Sequence, residues 1–177
     1  VARMQRLHAL PEGSILAHCV HLGEDSLKRV ADAGAWVTHQ ARSNMNNGVG
    51  YAPVRHFTEN TALGTDGIGA DLFAELQTAW FRAQEADVGW SPDRWLQCLS
   101  SGARLAGEKL GVQLGRLERG AAADLVVLDP IPGPPISDSN IAAAFLFRFS
   151  SSAVSDVMVD GAWALQDRMP LGVRADE

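Results

Sequence analysis

Three short stretches of this chain carry side chains able to do chemistry. Ala17-His18-Cys19-Val20-His21-Leu22 brings two histidines. His39-Gln40-Ala41-Arg42-Ser43-Asn44 brings amide and hydroxyl groups, and Thr65-Asp66-Gly67 brings a carboxylate. An imidazole, neutral polar groups and a carboxylate gathered on one face can form an acid/base site or part of a metal site. Each also has a plainer reading. Asp before Gly is a common turn pair, and a histidine at a strand end can be a hydrogen-bonded core residue. Ser43 and Asn44 either line a site or cap their own backbone, as Ser and Asn do in loops.

The elements around these stretches decide whether they can meet. Ser14 to Leu22 is a short apolar run after Pro11 and Gly13, and its length and flanks predict a buried strand. His21, three residues beyond His18, then faces the opposite side of the sheet and is structural. Asp25 to Ala33 has helical spacing and Gly34 is placed to end it. Ala35 to His39 is a second strand, with His39 at most an orienting group. Arg42 to Gly50 reads as a polar loop and Arg42 as a solvated arginine. Val54 to Asn60 reads as a short helix and Ala62 to Thr65 as a third strand. Asp71 to Ala86 is an amphipathic helix with Asp71 as its N-cap. Ser91 caps the next, with Pro92 in its first turn. That helix runs to about Ser101, and Gly102 to Leu110 is helical again. Beyond it lie a Val/Leu strand over Leu125 to Leu128, a proline loop over Pro130 to Ser137, a short helix over Ile141 to Phe149, and two strands joined at Asp160-Gly161. Strands alternating with helices predict a parallel sheet, whose functional groups gather at the carboxyl ends of its strands. That rule selects the three stretches named above.

Composition narrows the possibilities. The 177 residues are 46% hydrophobic and 20% charged, enough for one substantial core. Fifteen basic against twenty-one acidic residues give a formal charge of -6 with no Lys/Arg block, which argues against nucleic acid as a partner. No apolar run approaches the ~20 residues needed to cross a bilayer, so no membrane partner is expected. Cys19 and Cys98 lie in apolar surroundings at no metal-ligand spacing, which suits two buried thiols in a reducing, cytoplasmic compartment. The tryptophans read as packing residues, and His8 and His56 have no supporting context. The chain begins at Val1 in a segment that reads as the tail of a helix, and three parallel strands would leave an apolar edge open. The expectation is a piece of something longer.

AHCVHL on a strand, SNMNNGVG after a second and LGTDG after a third together resemble the carboxyl half of the amidohydrolase superfamily, in its chlorohydrolase, aminohydrolase and deaminase branch. LGRLERGAAADLVVLD and VSDVMVDGAWAL resemble the tail of the same family, so the likeness covers nearly the whole chain. It implies an α/β fold: strands six to eight of a (β/α)8 TIM-like barrel over residues 1–112, then a helix and part of a small β-sandwich over 113–177. It also implies hydrolysis of a non-peptide C–N bond in an amino-substituted heterocycle, with one divalent metal, zinc or iron, as cofactor. Asp66 matches the family's metal ligand and proton shuttle. A metal lowers the pKa of its bound water toward ~7, and an adjacent carboxylate can take and return the proton. His18 matches a histidine that contacts the water or substrate, and Ser43 and Asn44 match polar groups near the substrate. The usual Asn-Pro before that pair is Gln40-Ala41 here, so the loop is expected to bend differently.

The family's His-x-His pair and its later histidine are absent from the chain, and one aspartate cannot hold a catalytic zinc, which takes three or more protein ligands. The isolated chain is therefore expected to be inactive, with a missing amino-terminal half supplying the remaining ligands and homo-oligomerisation left open. The rival readings are a noncatalytic remnant or split-barrel subunit that docks a complementary chain, and an unrelated small α/β binding domain.

Overall fold

The computed structural model describes residues 1–172, and the chain falls into two compact units, Val1–Gly102 and Ala103–Glu177. In the first, α1 (Ala2–Arg6) is a single short helix with no buried residue. β1 (Ile15–Ala17) leads to α2 (Glu24–Asp32), which has Glu24 and Asp25 in its first turn, where the helix dipole favours acids. Leu27 and Val30 bury its inner face. Gly34, at φ +64°, ends it in a left-handed turn, with Gly34 N–H donating to Ala31 and Ala35 N–H to Val30. β2 (Trp36–His39), α3 (Ala41–Asn46), β3 (Thr61–Leu63) and α4 (Leu72–Glu85) follow, and then α5 (Pro92–Leu110), whose residues are divided between the two units.

The three strands form one parallel sheet in the order β1-β2-β3, with Leu16 beside Val37 and Thr38 beside Ala62. Parallel pairing sends all three carboxyl ends to one edge, which is what the alternation of strands and helices requires. Trp36, Val30, Leu76 and Trp95 are among the large side chains buried most completely. Asp71 caps α4 by accepting from Ala74 N–H at 3.0 Å, and Ser91 Oγ accepts from Arg94 N–H at 3.2 Å at the start of α5.

Several local expectations are corrected. The first strand stops at Ala17, because His18 and Cys19 take left-handed φ values of +64° and +52°. Two acceptors hold that turn: His18 N–H faces both Thr38 O and Gln40 Oε1 at 2.9 Å. The predicted loop at Arg42 opens instead with α3. The helix predicted from Val54 shrinks to one 3-10 turn, Val54–His56. The two helices predicted around Gly102 are one, α5: a mid-helix glycine costs about 1 kcal/mol, and burial of Trp95, Cys98 and Leu105 along one stripe outweighs it.

In the second unit β4 (Leu125–Leu128), α6 (Ile141–Phe147), β5 (Val154–Val159), β6 (Ala162–Gln166) and β7 (Met169–Pro170) follow in order. The strands form an antiparallel sheet in the order β4-β5-β6-β7. The β5–β6 turn has Asp160 at φ +49° and Gly161 at φ +78°, both left-handed, as a two-residue hairpin requires. Asp124 Oδ1 accepts from Asp160 N–H at 2.7 Å and ties the turn to the start of β4. The proline loop closes around Arg148, whose guanidinium donates to the carbonyls of Pro134 and Pro132. Among the described residues no helix is long and apolar enough to cross a membrane, and Cys19 and Cys98 are buried free thiols.

Candidate active site

The carboxyl edge of the parallel sheet brings His18, α3 and Asp66 together. His18 stands in the turn after β1 and Asp66, at φ +51°, in the turn after β3. Between them α3 continues directly from β2. Gly64 permits this approach, since a Cβ there would lie 2.9 Å from Gln40 Nε2.

Asp66 accepts from Ser43 Oγ at 2.6 Å through Oδ2 and from the Gly67 N–H at 2.7 Å through Oδ1. These two hydrogen bonds, and to a lesser degree the nearby His18, hold its carboxyl below the usual aspartate range, so it is ionised at neutral pH. His18 Nε2 lies 3.6 Å from Asp66 Oδ2, and both side chains are about two-fifths exposed, 39% and 42%. His18 Nδ1 lies 2.8 Å from Asn44 Oδ1. An amide oxygen only accepts, so Nδ1 carries a proton and Nε2 is the nitrogen presented to Asp66. Asn47 Nδ2 donates to Ser43 Oγ at 3.3 Å and braces the hydroxyl.

A cleft of about 590 Å³ opens at this point. Leu16, Val20, Leu22 and Val49 give it an apolar wall, and His18, His21, Asn44, Asn47 and Asp66 are among its polar groups. Its dimensions and lining are those of a small-molecule site.

His18, Ser43, Asn44 and Asp66 thus form one connected cluster. His21 also lines the cleft rather than facing away, because the left-handed turn at His18 and Cys19 ends the strand alternation on which the expectation rested. His39 departs in the other direction. It is fully buried, its ring neighbours are Tyr51, Phe57 and Trp95 at centroid distances of 6.0–6.2 Å, and neither ring nitrogen has a hydrogen-bond partner among the described residues. Burial, and secondarily the charge of His18, push its pKa down to about 4. It is a neutral core residue, away from the cleft. Arg42 is tied down rather than solvated, its Nη1 donating to the carbonyls of Gly69 and Asp71 at the start of α4.

Sequence reasoning missed three residues. Gln40 accepts from the His18 N–H and donates to Thr38 Oγ1 at 2.7 Å, Asn47 braces Ser43, and Glu75 Oε1 accepts from the Arg42 N–H at 3.1 Å. Only Glu75 left a signal: an acid beside Leu76 on the apolar face of an amphipathic helix.

The cleft supplies an ionised carboxylate and an imidazole nitrogen, donor types that suit a divalent ion such as zinc. They are a partial set, for among the described residues no group of three or more His, Cys, Asp or Glu could hold a metal.

A model of the amidohydrolase family matches residues 1–164. A 5-methylthioadenosine/S-adenosylhomocysteine deaminase of Natronomonas pharaonis is 32% identical over 174 residues, covering 92% of this chain and 39% of its own length. A 5'-deoxyadenosine deaminase of Methanococcus vannielii is 27% identical over 162 residues, covering 87% and 38%. Among solved structures, an adenosine deaminase from Xanthomonas campestris with bound zinc superposes with a TM-score of 0.82 at 25% identity, over 98% of this chain and 42% of that one. An atrazine chlorohydrolase from Arthrobacter aurescens complexed with zinc gives 0.76 at 25% identity, over 98% and 41%. The chain therefore spans about two-fifths of the length of the proteins it matches.

Proposed function

Because the chain belongs to the amidohydrolase family, we propose that the protein carrying it hydrolyses a non-peptide C–N bond in an amino-substituted heterocycle and releases ammonia. The observation that carries this reading is the cluster itself, in which His18 and Asp66 meet at the mouth of an apolar-walled cleft on the carboxyl edge of a parallel sheet. The substrate class is an adenosine-like aminopurine. The names of the deaminase relatives support it, and an apolar wall suits a flat ring.

In the reaction, water adds to the ring carbon bearing the amino group, the C–N bond breaks, and a carbonyl forms as ammonia leaves. Asp66, already ionised, takes the proton of the attacking water and returns it to the leaving nitrogen. Ser43 holds that carboxylate in orientation through Oδ2. His18, its Nδ1 proton directed at Asn44, contacts the water through Nε2 and steadies the charge that develops at the attacked centre. Ser43 and Asn44 thus act on the two reacting side chains, and Asn47 and Val49 border the space left for substrate. One divalent cofactor, zinc or iron, would be held from this chain by Asp66, with its other ligands outside the described residues. When bound, it supplies Lewis-acid activation of water.

The strand order and the likeness to larger solved structures support reading β1–β3 as strands six to eight of a (β/α)8 barrel, and β4–β7 as part of a small β-sandwich. One observation favours a second reading. β1 lies at a sheet edge with Ile15 51% exposed, which suits docking of a complementary chain by a noncatalytic or split subunit.

The test is ammonia release from 5'-methylthioadenosine, S-adenosylhomocysteine, 5'-deoxyadenosine and adenosine by the protein that carries this chain, prepared with zinc or iron. Turnover of at least one is expected, with Asp66→Asn lowering kcat by roughly 1000-fold, within the range for loss of a general base. No ammonia from any of these, or Asp66→Asn at wild-type turnover, rejects the reading.

A further inference from the structure

A fully buried carboxylate stands behind the candidate site, and the mechanism above does not use it. Glu75 has no exposed surface and sits on the inner face of α4 with Leu76, Ala79 and Ala83. A buried acid there is costly, and burial pushes its carboxyl up, opposed by the N–H groups of Arg42 and Ala41. An apolar residue of similar volume would avoid that cost. What Glu75 does contact is the first turn of α3, by accepting from the Arg42 N–H at 3.1 Å.

That turn lacks a cap of its own. No side chain at the N-cap position, Gln40, bonds back to the helix, because the Gln40 amide is committed to His18 N–H and Thr38 Oγ1. Arg42 can only donate, and Ser43 and Asn44, the next side chains able to accept a hydrogen bond, are committed to Asp66 and His18. The first turn of α3 therefore spends the side chains that could accept on the candidate catalytic pair and leaves its backbone N–H groups to be satisfied from elsewhere. Glu75, 33 residues away from Arg42 in sequence, satisfies one of them.

We propose that Glu75 is a positioning residue: by capping α3 it sets where Ser43 and Asn44 stand, and through them it fixes the Asp66 carboxylate and the His18 ring. This rests on reading His18 and Asp66 as the catalytic pair. Ser43 and Asn44 are buried and adjacent on one short helix, so a displacement of α3 reaches both partners at once. A misplacement of about 1 Å can cost roughly 100-fold in rate.

The experiment compares wild type with Glu75→Leu and Glu75→Gln in the protein that carries this chain. Two quantities are read: the nitrogen chemical shifts of the His18 ring without substrate, and kcat and KM for deamination. Leu removes the acceptor. Its expected result is a His18 ring that no longer holds the proton on Nδ1, with kcat down roughly 100-fold and KM changed far less. Gln keeps an oxygen for the Arg42 N–H and is expected to restore the wild-type ring state and most of the turnover. Should Glu75→Leu fail to fold, Glu75→Asp withdraws the acceptor by one methylene and is expected to disturb the same two readouts. A folded variant that loses stability yet keeps the wild-type ring state and kcat overturns the proposal and leaves Glu75 a purely structural cap. If the wild-type protein deaminates nothing, the proposed function fails, and the ring shifts alone decide the role of Glu75.

Discussion

Acidification should destabilise this fold through His39, and the structure sets the size of the effect. The ring is fully buried among Tyr51, Phe57 and Trp95 with no partner on either nitrogen among the described residues, so a charge there is neither solvated nor paired. Its pKa falls from 6.5 to about 4 in the folded protein. Because the folded value lies below the unfolded one, the unfolded chain takes up the proton first. Stability from this residue is complete above pH 6.5 and declines until the folded state also protonates near pH 4. At about 1.4 kcal/mol per pH unit, the loss across that window reaches about 3 kcal/mol. His39→Leu removes the titration with little change of volume, and is expected to lie within ~1.5 kcal/mol of wild type at pH 7. Urea denaturation of both proteins at intervals between pH 7 and pH 4 isolates the effect, since the carboxylates contribute to both curves and cancel in the difference. The two curves should diverge in favour of the variant as pH falls. Parallel curves would refute the argument and show that His39 reaches water or a partner when it takes up a proton.

Other consequences follow from separate parts of the structure. Burial pushes both Cys19 and Cys98 thiols up to about 11, and the thiolate is the reactive form. Disulfide-exchange labelling at pH 8 should therefore run at least roughly 100-fold slower in the folded protein than after denaturation, and rapid labelling of the native protein would contradict this. Gly161 stands at φ +78°, and a Cβ added there would meet nothing within 4 Å among the described residues, so the cost of Gly161→Ala is one of backbone alone. About 1 kcal/mol of lost stability is expected from denaturation curves, and an unchanged midpoint would place that cost elsewhere.

Much of the architecture was legible because it depends on neighbours in sequence. Asp71 and Ser91 announce α4 and α5, since a capping side chain reaches only two or three residues along. Asp160-Gly161 announces the β5–β6 turn because both positions need left-handed φ, which these residues tolerate. The apolar runs marked β2 and β4 by length and composition. Three ordered motifs also identified the family, and with it the residues worth watching.

The site itself was decided by tertiary structure, because its bonds join residues far apart in the chain. His18 meets Asn44 across 26 positions, Ser43 meets Asp66 across 23, and Glu75 meets Arg42 across 33. The register of the parallel sheet sets these distances, and no local pattern encodes that register. The same cause explains the misreadings. Arg42 to Gly50 reads as a loop because the helix that opens it, α3, takes its cap from α4. His21 looks outward because the turn that redirects it is held by Thr38 and Gln40 on the neighbouring strand and beyond. His39 reads as at most an orienting group because its type and its strand end suggest chemistry, whereas its surroundings, three aromatic rings and no polar partner among the described residues, leave it uncharged in the core. By itself the sequence determined which groups were available and which local elements would form. Long-range packing decided which of those groups could meet, since a contact exists only once the strands that carry it are aligned.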